Sequence, residues 1–179
     1  KNLLGLDQSS FADLGRKYIE ETKWARSSKP FFIDKMPNNF VHIGLIKLIL
    51  PKAKIIDARR NPMDACFSCF KQYFAKGQHF TYDLDDIARY YKDYIRLMDY
   101  WKKLFPNEIF TINYEDIINN PNERIADLLK FCNVDFEENC LKFHQSKRPV
   151  KTASSEQVRQ PMYKTGLDYW KNYANHLET

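Results

Sequence analysis

No apolar stretch in this chain is long enough to cross a bilayer. The longest, Ile43 to Leu50, is interrupted by Lys47, whereas a spanning helix needs about 20 apolar residues. Cysteine is also scarce: the four stand at 66, 69, 132 and 140, and a chain of 179 residues does not need disulfides to build a core. Cys66 and Cys69 have the spacing of a redox pair, but no second ligand pair accompanies them for zinc, and burial is the ordinary fate of a free thiol. The first residues, Lys1-Asn2-Leu3-Leu4-Gly5, show neither a basic leader nor a small-residue cleavage site, so a reducing, cytoplasmic setting is expected. Neither an internal repeat nor a low-complexity segment is present. Disorder is excluded by 13 Phe, 11 Tyr and 3 Trp. The net charge of +5 favours an anionic ligand but falls far short of a dedicated nucleic-acid binder.

What is present is an alternation of short apolar runs and longer periodic ones. Phe31-Phe32-Ile33-Asp34, Lys54-Ile55-Ile56-Asp57-Ala58 and Ile109-Phe110-Thr111-Ile112-Asn113 predict three buried strands. Helices are predicted over Asn38 to Leu50, ended by Pro51, over Asn61 to Phe74, over Asp83 to Leu104 and over Glu115 to Phe131. The third carries Ile87, Tyr90, Tyr91, Tyr94, Leu97, Met98 and Trp101 at spacings of three and four, a stripe that reads as core. Strand and helix in alternation predict an α/β fold with a parallel sheet flanked by helices, whose ligands sit where strands end. Lys35, Arg60 and Tyr114 stand at those ends. Residues 145–165 break the pattern as a long polar loop holding Lys147, Arg148, Lys151, Arg159 and Lys164 against a single Glu.

The sharpest local feature is Arg59-Arg60-Asn61-Pro62-Met63-Asp64. Asn61 is a good N-cap, Pro62 suits the first helical position, and Asp64 stands where the acid of a capping box would. A helix start beside Arg60, with the Ser68 hydroxyl two turns on, suits a phosphate. Asp34-Lys35-Met36-Pro37 places a cation at the end of the first predicted strand, where a lysine can neutralise charge on a transferring group.

Together these segments resemble the sulfotransferases that use 3′-phosphoadenosine 5′-phosphosulfate. Asp34-Lys35-Met36-Pro37, Arg60-Asn61-Pro62 through Ser68, Tyr114-Glu115-Asp116 and Thr152 to Tyr163 with Trp170 and Tyr173 are similar to the bacterial tetratricopeptide-linked branch, itself similar to the tyrosylprotein sulfotransferases. The resemblance runs from about Lys1 to Leu177. It implies a P-loop nucleotide-hydrolase-like sulfotransferase fold and transfer of a sulfuryl group to a hydroxyl acceptor, whether a protein tyrosine, a sugar or a small molecule. It implies no metal, no nucleic-acid partner and no membrane segment, and it is compatible with a homodimer. Arg60 and Ser68 would hold the donor's 3′-phosphate and Tyr114 the nucleotide. Ser154, Ser155, Glu156, Gln157, Val158, Arg159 and Tyr163 would close over it. Lys35 and Ser154 match positions that stabilise charge on the oxygen bridging sulfur and the 5′-phosphate. The product would be 3′,5′-adenosine bisphosphate.

The departures are informative. Such enzymes begin with a strand-to-helix turn that contains glycine and cradles the 5′-phosphosulfate, and a Glu general base follows it. The glycines here, at 5, 15, 44, 77 and 166, lie in no such turn. The chain is therefore expected to be the carboxyl-terminal portion, residues 1–179, of one sulfotransferase domain lacking its first strand and phosphate loop, and weakly active or inactive alone. The catalytic His of cytosolic small-molecule enzymes has no counterpart, because Met36, Pro37 and Asn38 follow Lys35. A nucleotide-binding Lys of the tyrosylprotein branch aligns with Tyr169, leaving Lys164 or Lys171 as substitutes. Two other readings stay open: a non-catalytic module or degenerate fragment that binds a 3′-phosphoadenosine nucleotide, and a nucleic-acid binder using the 145–165 loop.

Overall fold

The structure, a computed structural model, describes residues 5–26, 29–74, 77–146, 159–162 and 166–177. Among the described residues the sheet has two strands, β1 (Ile55–Arg59) and β2 (Ile109–Asn113). They run parallel in the register Ile55↔Ile109 to Arg59↔Asn113. Parallel neighbours need a crossover, and here it contains helix α3 (Pro62–Lys71) and helix α4 (Leu84–Leu104). The fold is thus α/β and rich in helix, with helices flanking a small parallel sheet.

Helix α4 starts one residue after its predicted bound because Asp83 is the cap, accepting from the Asp86 amide at 3.0 Å. Asp85 and Asp86 in its first turn and Lys102 and Lys103 in its last complement the helix dipole. Its aromatic stripe is core. Phe40 meets Tyr90 and Tyr94 edge-on, Phe80 stacks on Tyr90 at 3.9 Å, and Trp101 Nε1 donates to the Phe40 carbonyl at 2.8 Å. Ile87 and Met98 are buried beneath.

Two predicted helices divide. Asn38 to Leu50 becomes a 3-10 helix, Pro37–His42, followed by α2, Ile43–Ile49. Glu115 to Phe131 becomes α5 (Tyr114–Asn119) and α6 (Pro121–Phe131); Pro121 lacks an N–H and opens a helix of its own. Helix α1, Gln8–Glu21, was not expected from the sequence. Asp7 caps it by accepting from the Ser10 amide at 2.8 Å.

The strand predicted over Phe31 to Asp34 does not form. Among the described residues it has no ladder partner, and Phe31 and Ile33 are 65% and 87% exposed. An extended segment becomes a strand only beside a neighbour that takes its N–H and C=O groups. This one is tied to α1 and its end instead, by Tyr18 Oη donating to Asp34 at 2.5 Å and by Arg26 lying over the Phe32 ring. Lys35 therefore does not close a sheet strand.

Among the described residues three charged side chains are buried, Lys47, Asp57 and Asp64, and the first two tie elements of the fold together. Lys47, the one polar interruption of the Ile43 to Leu50 run, donates to the carbonyls of Pro51 and Ala53 at 2.7 and 3.1 Å and pairs with Glu108. It thereby ties the end of α2 to the start of the sheet. Asp57, in the middle of β1, is 6% exposed. It accepts from Arg59 Nε at 2.8 Å, from Thr111 Oγ1 at 3.2 Å and from Tyr94 Oη, and Lys102 Nζ lies 3.6 Å away. This network binds β1, β2 and α4 together. Burial and then Asp57 push the Tyr94 phenol far up. The folded state therefore keeps a proton that the unfolded chain loses above about pH 10, so the Tyr94 contribution is complete below that pH and declines above it.

Two outcomes follow for denaturation experiments. Gly15 of α1 packs against Ile49, and an added Cβ would overlap the Ile49 carbonyl oxygen. Alanine's helix advantage of about 1 kcal/mol is outweighed, and Gly15→Ala should lower stability by about 1–3 kcal/mol; a higher melting temperature would contradict this packing. Tyr94→Phe should cost about 1.5–3 kcal/mol at pH 7, with the gap to wild type shrinking above pH 10. An equal gap at both pH values would contradict the Asp57 network.

Candidate functional site

Because β1 and β2 are parallel and in register, their carboxyl ends lie side by side. Arg59 and Arg60, consecutive at the end of β1, part company there. Arg59 shares a face with Asp57, two residues back, and its Nη2 lies 2.7 Å from that carboxylate. Burial opposes its charge, but Asp57 outweighs this and raises the Arg59 pKa. Arg59 is thus committed to the network under α4.

Arg60 turns the other way. Its guanidinium lies 5.4 Å from the Tyr114 ring centroid, at the end of β2, and its Nη2 donates to the Gly166 carbonyl at 2.9 Å. No carboxylate neutralises it among the described residues, and its Nε is buried without a hydrogen-bond partner. A buried N–H in that condition costs roughly 1–3 kcal/mol, so the group is well suited to an acceptor from outside.

Asn61 caps α3 as expected, its side chain accepting from the Met63 and Asp64 amides at 3.0 and 3.3 Å. The capping-box reading of Asp64 is corrected. The Asn61 amide donates at 2.8 Å to Glu115, from the first turn of α5, so an acid from the neighbouring strand's end replaces the local one. Asp64 is free to accept from the Asp168 amide at 2.8 Å, holding the 166–177 segment on α3. Sequence reasoning missed Glu115 and Gly166 here. Glu115 was legible only as the residue after Tyr114, and Gly166 carried no signal because its carbonyl does the work.

Ser68 is exposed on α3, one helical turn beyond Asp64. Burial raises the pKa of the adjacent Cys69, and the Arg60 charge opposes that rise. The structure brings Arg60 and Tyr114 into contact; among the described residues Arg60 and Ser68 share no hydrogen bond. Lys35 is exposed before the Pro37–His42 helix and makes no hydrogen bond or ring contact with Arg60, Ser68 or Tyr114 among the described residues. Ser154, Ser155, Glu156, Gln157, Val158 and Tyr163 lie outside the described residues. Arg159 is exposed and donates to the Ser146 carbonyl. No group of three or more His, Cys, Asp or Glu that could hold a metal occurs among the described residues.

The decisive comparison is with a family model described as the sulfotransferase family, which matches residues 5–138. The chain belongs to the sulfotransferase family. It is also 35% identical over 179 residues to a protein of Aquifex aeolicus (strain VF5) named only as uncharacterized, an alignment that takes in 98% of this chain and 23% of that protein. The chain thus spans about a quarter of that relative's length. As a member of this family it is a candidate for sulfuryl-transfer chemistry. Among the described residues, no helix is long and apolar enough to cross a membrane.

Cys66 and Cys69 are free, half-buried thiols that burial keeps protonated. Burial, with Cys69 adding to it, pushes the Cys66 thiol up to about 11, and a thiol rather than a thiolate is a poor nucleophile. Iodoacetamide at pH 8 should label Cys66 roughly a hundredfold more slowly than an unperturbed cysteine; labelling at the free-cysteine rate would show that this face of α3 is open.

Proposed function

We propose that this chain supplies the 3′-phosphate-binding part of a sulfotransferase site that takes 3′-phosphoadenosine 5′-phosphosulfate as donor and a hydroxyl group as acceptor. The observation that carries the reading is the Arg60 guanidinium. Among the described residues no carboxylate pairs with it and its buried Nε has no partner, and it stands beside Tyr114 where two parallel strands end. Arg60 would hold the 3′-phosphate with Ser68, and Tyr114 would border the nucleotide. The donor, when bound, supplies an activated sulfuryl group whose S–O bond to the 5′-phosphate breaks as the acceptor oxygen bonds to sulfur. By analogy with phosphoryl transfer, the protein's part is positioning and stabilising the leaving oxygen. Lys35 and Ser154 are assigned to that oxygen. Ser155, Glu156, Gln157, Val158, Arg159 and Tyr163 are assigned to covering the nucleotide.

On this reading residues 1–179 are the carboxyl-terminal portion of one sulfotransferase domain. The phosphosulfate turn and the general base would come from elsewhere in that domain. Four free thiols suit a cytoplasmic setting, and the acceptor is a protein tyrosine, a sugar or a small molecule. A second reading rests on Lys35 and Arg60 sharing no hydrogen bond or ring contact among the described residues: a module that binds the nucleotide without transferring the group.

Calorimetry with 3′,5′-adenosine bisphosphate and a transfer assay, both on the protein at its natural length, separate the two. Arg60→Ala should weaken nucleotide binding roughly 10- to 100-fold, the worth of a charge-assisted hydrogen bond or two. Lys35→Ala should leave binding in place and lower turnover. Unchanged affinity in Arg60→Ala overturns the phosphate assignment, and transfer indifferent to Lys35 favours the binding module.

A further inference from the structure

Because the Phe31 to Asp34 run has no ladder partner among the described residues, the place of Lys35, the next residue, is set by side chains rather than by a sheet. Exposure alternates along the run: Phe31 and Ile33 are 65% and 87% exposed, and Phe32 between them 40%. The Arg26 guanidinium lies 4.9 Å from the Phe32 ring centroid, and Tyr18 of α1 takes Asp34, two residues on. In extended backbone successive side chains point to opposite faces. With Phe32 and Asp34 turned to the α1 side, Lys35 shares the outward face with Phe31 and Ile33.

Asp34 is the group on which this arrangement turns. A carboxylate next to a lysine in sequence is a ready counter-ion, yet no carboxylate pairs with Lys35 among the described residues. Both Asp34 oxygens are engaged elsewhere: Tyr18 Oη donates to Oδ2 at 2.5 Å, and Asn39 Nδ2 lies 3.5 Å from Oδ1. The first partner comes from α1 and the second from the Pro37–His42 helix, so Asp34 is pinned from both sides of Lys35. Burial, and then Asp34, push the Tyr18 phenol up to about 12, which keeps it a donor throughout the neutral range. Tyr18 is in turn placed by the fold. It follows Gly15 by three residues on the helix surface, and Gly15 packs against the Ile49 carbonyl. Asn38, beside Asn39, accepts from Tyr90 of α4 at 2.9 Å. We propose that Tyr18 is a positioning residue for sulfuryl transfer: by engaging the Asp34 carboxylate it keeps that acid off Lys35 and presents the ammonium to the leaving oxygen. This rests on the function proposed above, which assigns Lys35 to that oxygen.

The test follows release of adenosine 3′,5′-bisphosphate from 3′-phosphoadenosine 5′-phosphosulfate by the natural-length protein, with water taking the sulfuryl group as sulfate, so that it needs no knowledge of the acceptor. Tyr18→Phe should lower kcat roughly ten- to a hundredfold, the cost of a misplaced catalytic group, with donor KM and bisphosphate affinity unchanged. In a Lys35→Ala background the same change should matter by less than about twofold, because it acts through Lys35. Asp34→Ala should match Tyr18→Phe, and Asp34→Asn, whose amide oxygen still accepts the phenol, should recover most of the loss. Full turnover in Tyr18→Phe, or an equal loss with and without Lys35, overturns the positioning role while leaving the proposed function standing, provided Lys35→Ala is impaired. Turnover indifferent to Lys35→Ala, or a wild type that does not cleave the donor, overturns the proposed transfer and this role with it.

Discussion

The parallel register of β1 and β2 is the constraint on which the rest of this molecule depends. It sets Arg59 against Asn113, so the residues just past each strand, Arg60-Asn61 and Tyr114-Glu115, become neighbours although more than fifty positions separate them in sequence. Glu115 then takes the Asn61 amide, locking the start of α3 to the start of α5. The alternation of side chains along a strand does the remaining sorting. One arginine is spent on a buried carboxylate and the next is left to meet something from outside.

That division explains why the interior is polar where most interiors are not. Asp57 would be costly to bury alone, but Arg59, Thr111 and Tyr94 all donate to it. Breaking such a network by removing one partner costs far more than the network contributes, so it specifies how α4 lies on the sheet. Lys47 works similarly at the opposite end of β1, using its ammonium on the Pro51 and Ala53 carbonyls. The apolar core itself is small, with Ile43, Phe67, Ile87, Met98 and Ile112 buried, and these polar clamps hold the helices that it does not reach.

Much of this was legible in the sequence. The bounds of β2 and α4 follow from an apolar run and from capping chemistry, and the Asn61-Pro62 start of α3 follows from residue types at fixed offsets. Three things were not. The Phe31 to Asp34 run has the composition of a strand, but pairing is a property of two segments and composition reports only one. Helix α1 has a weakly apolar, mostly polar sequence, and its docking turns on the close approach of Gly15 to Ile49. The partner of Arg60 in the 166–169 segment is a backbone carbonyl, which leaves no pattern. Helix-start chemistry and family resemblance supplied Arg60 and Ser68 as a pair; only the structure showed that, among the described residues, a carboxylate pairs with Arg59 and none with Arg60.

The most direct measurement is a crystal structure of the natural-length protein with adenosine 3′,5′-bisphosphate bound. The account predicts the 3′-phosphate oxygens within hydrogen-bonding distance of the Arg60 guanidinium and the Ser68 hydroxyl, with the nucleotide beside Tyr114. A nucleotide bound elsewhere, with Arg60 still engaging only Gly166 and Tyr114, would contradict it.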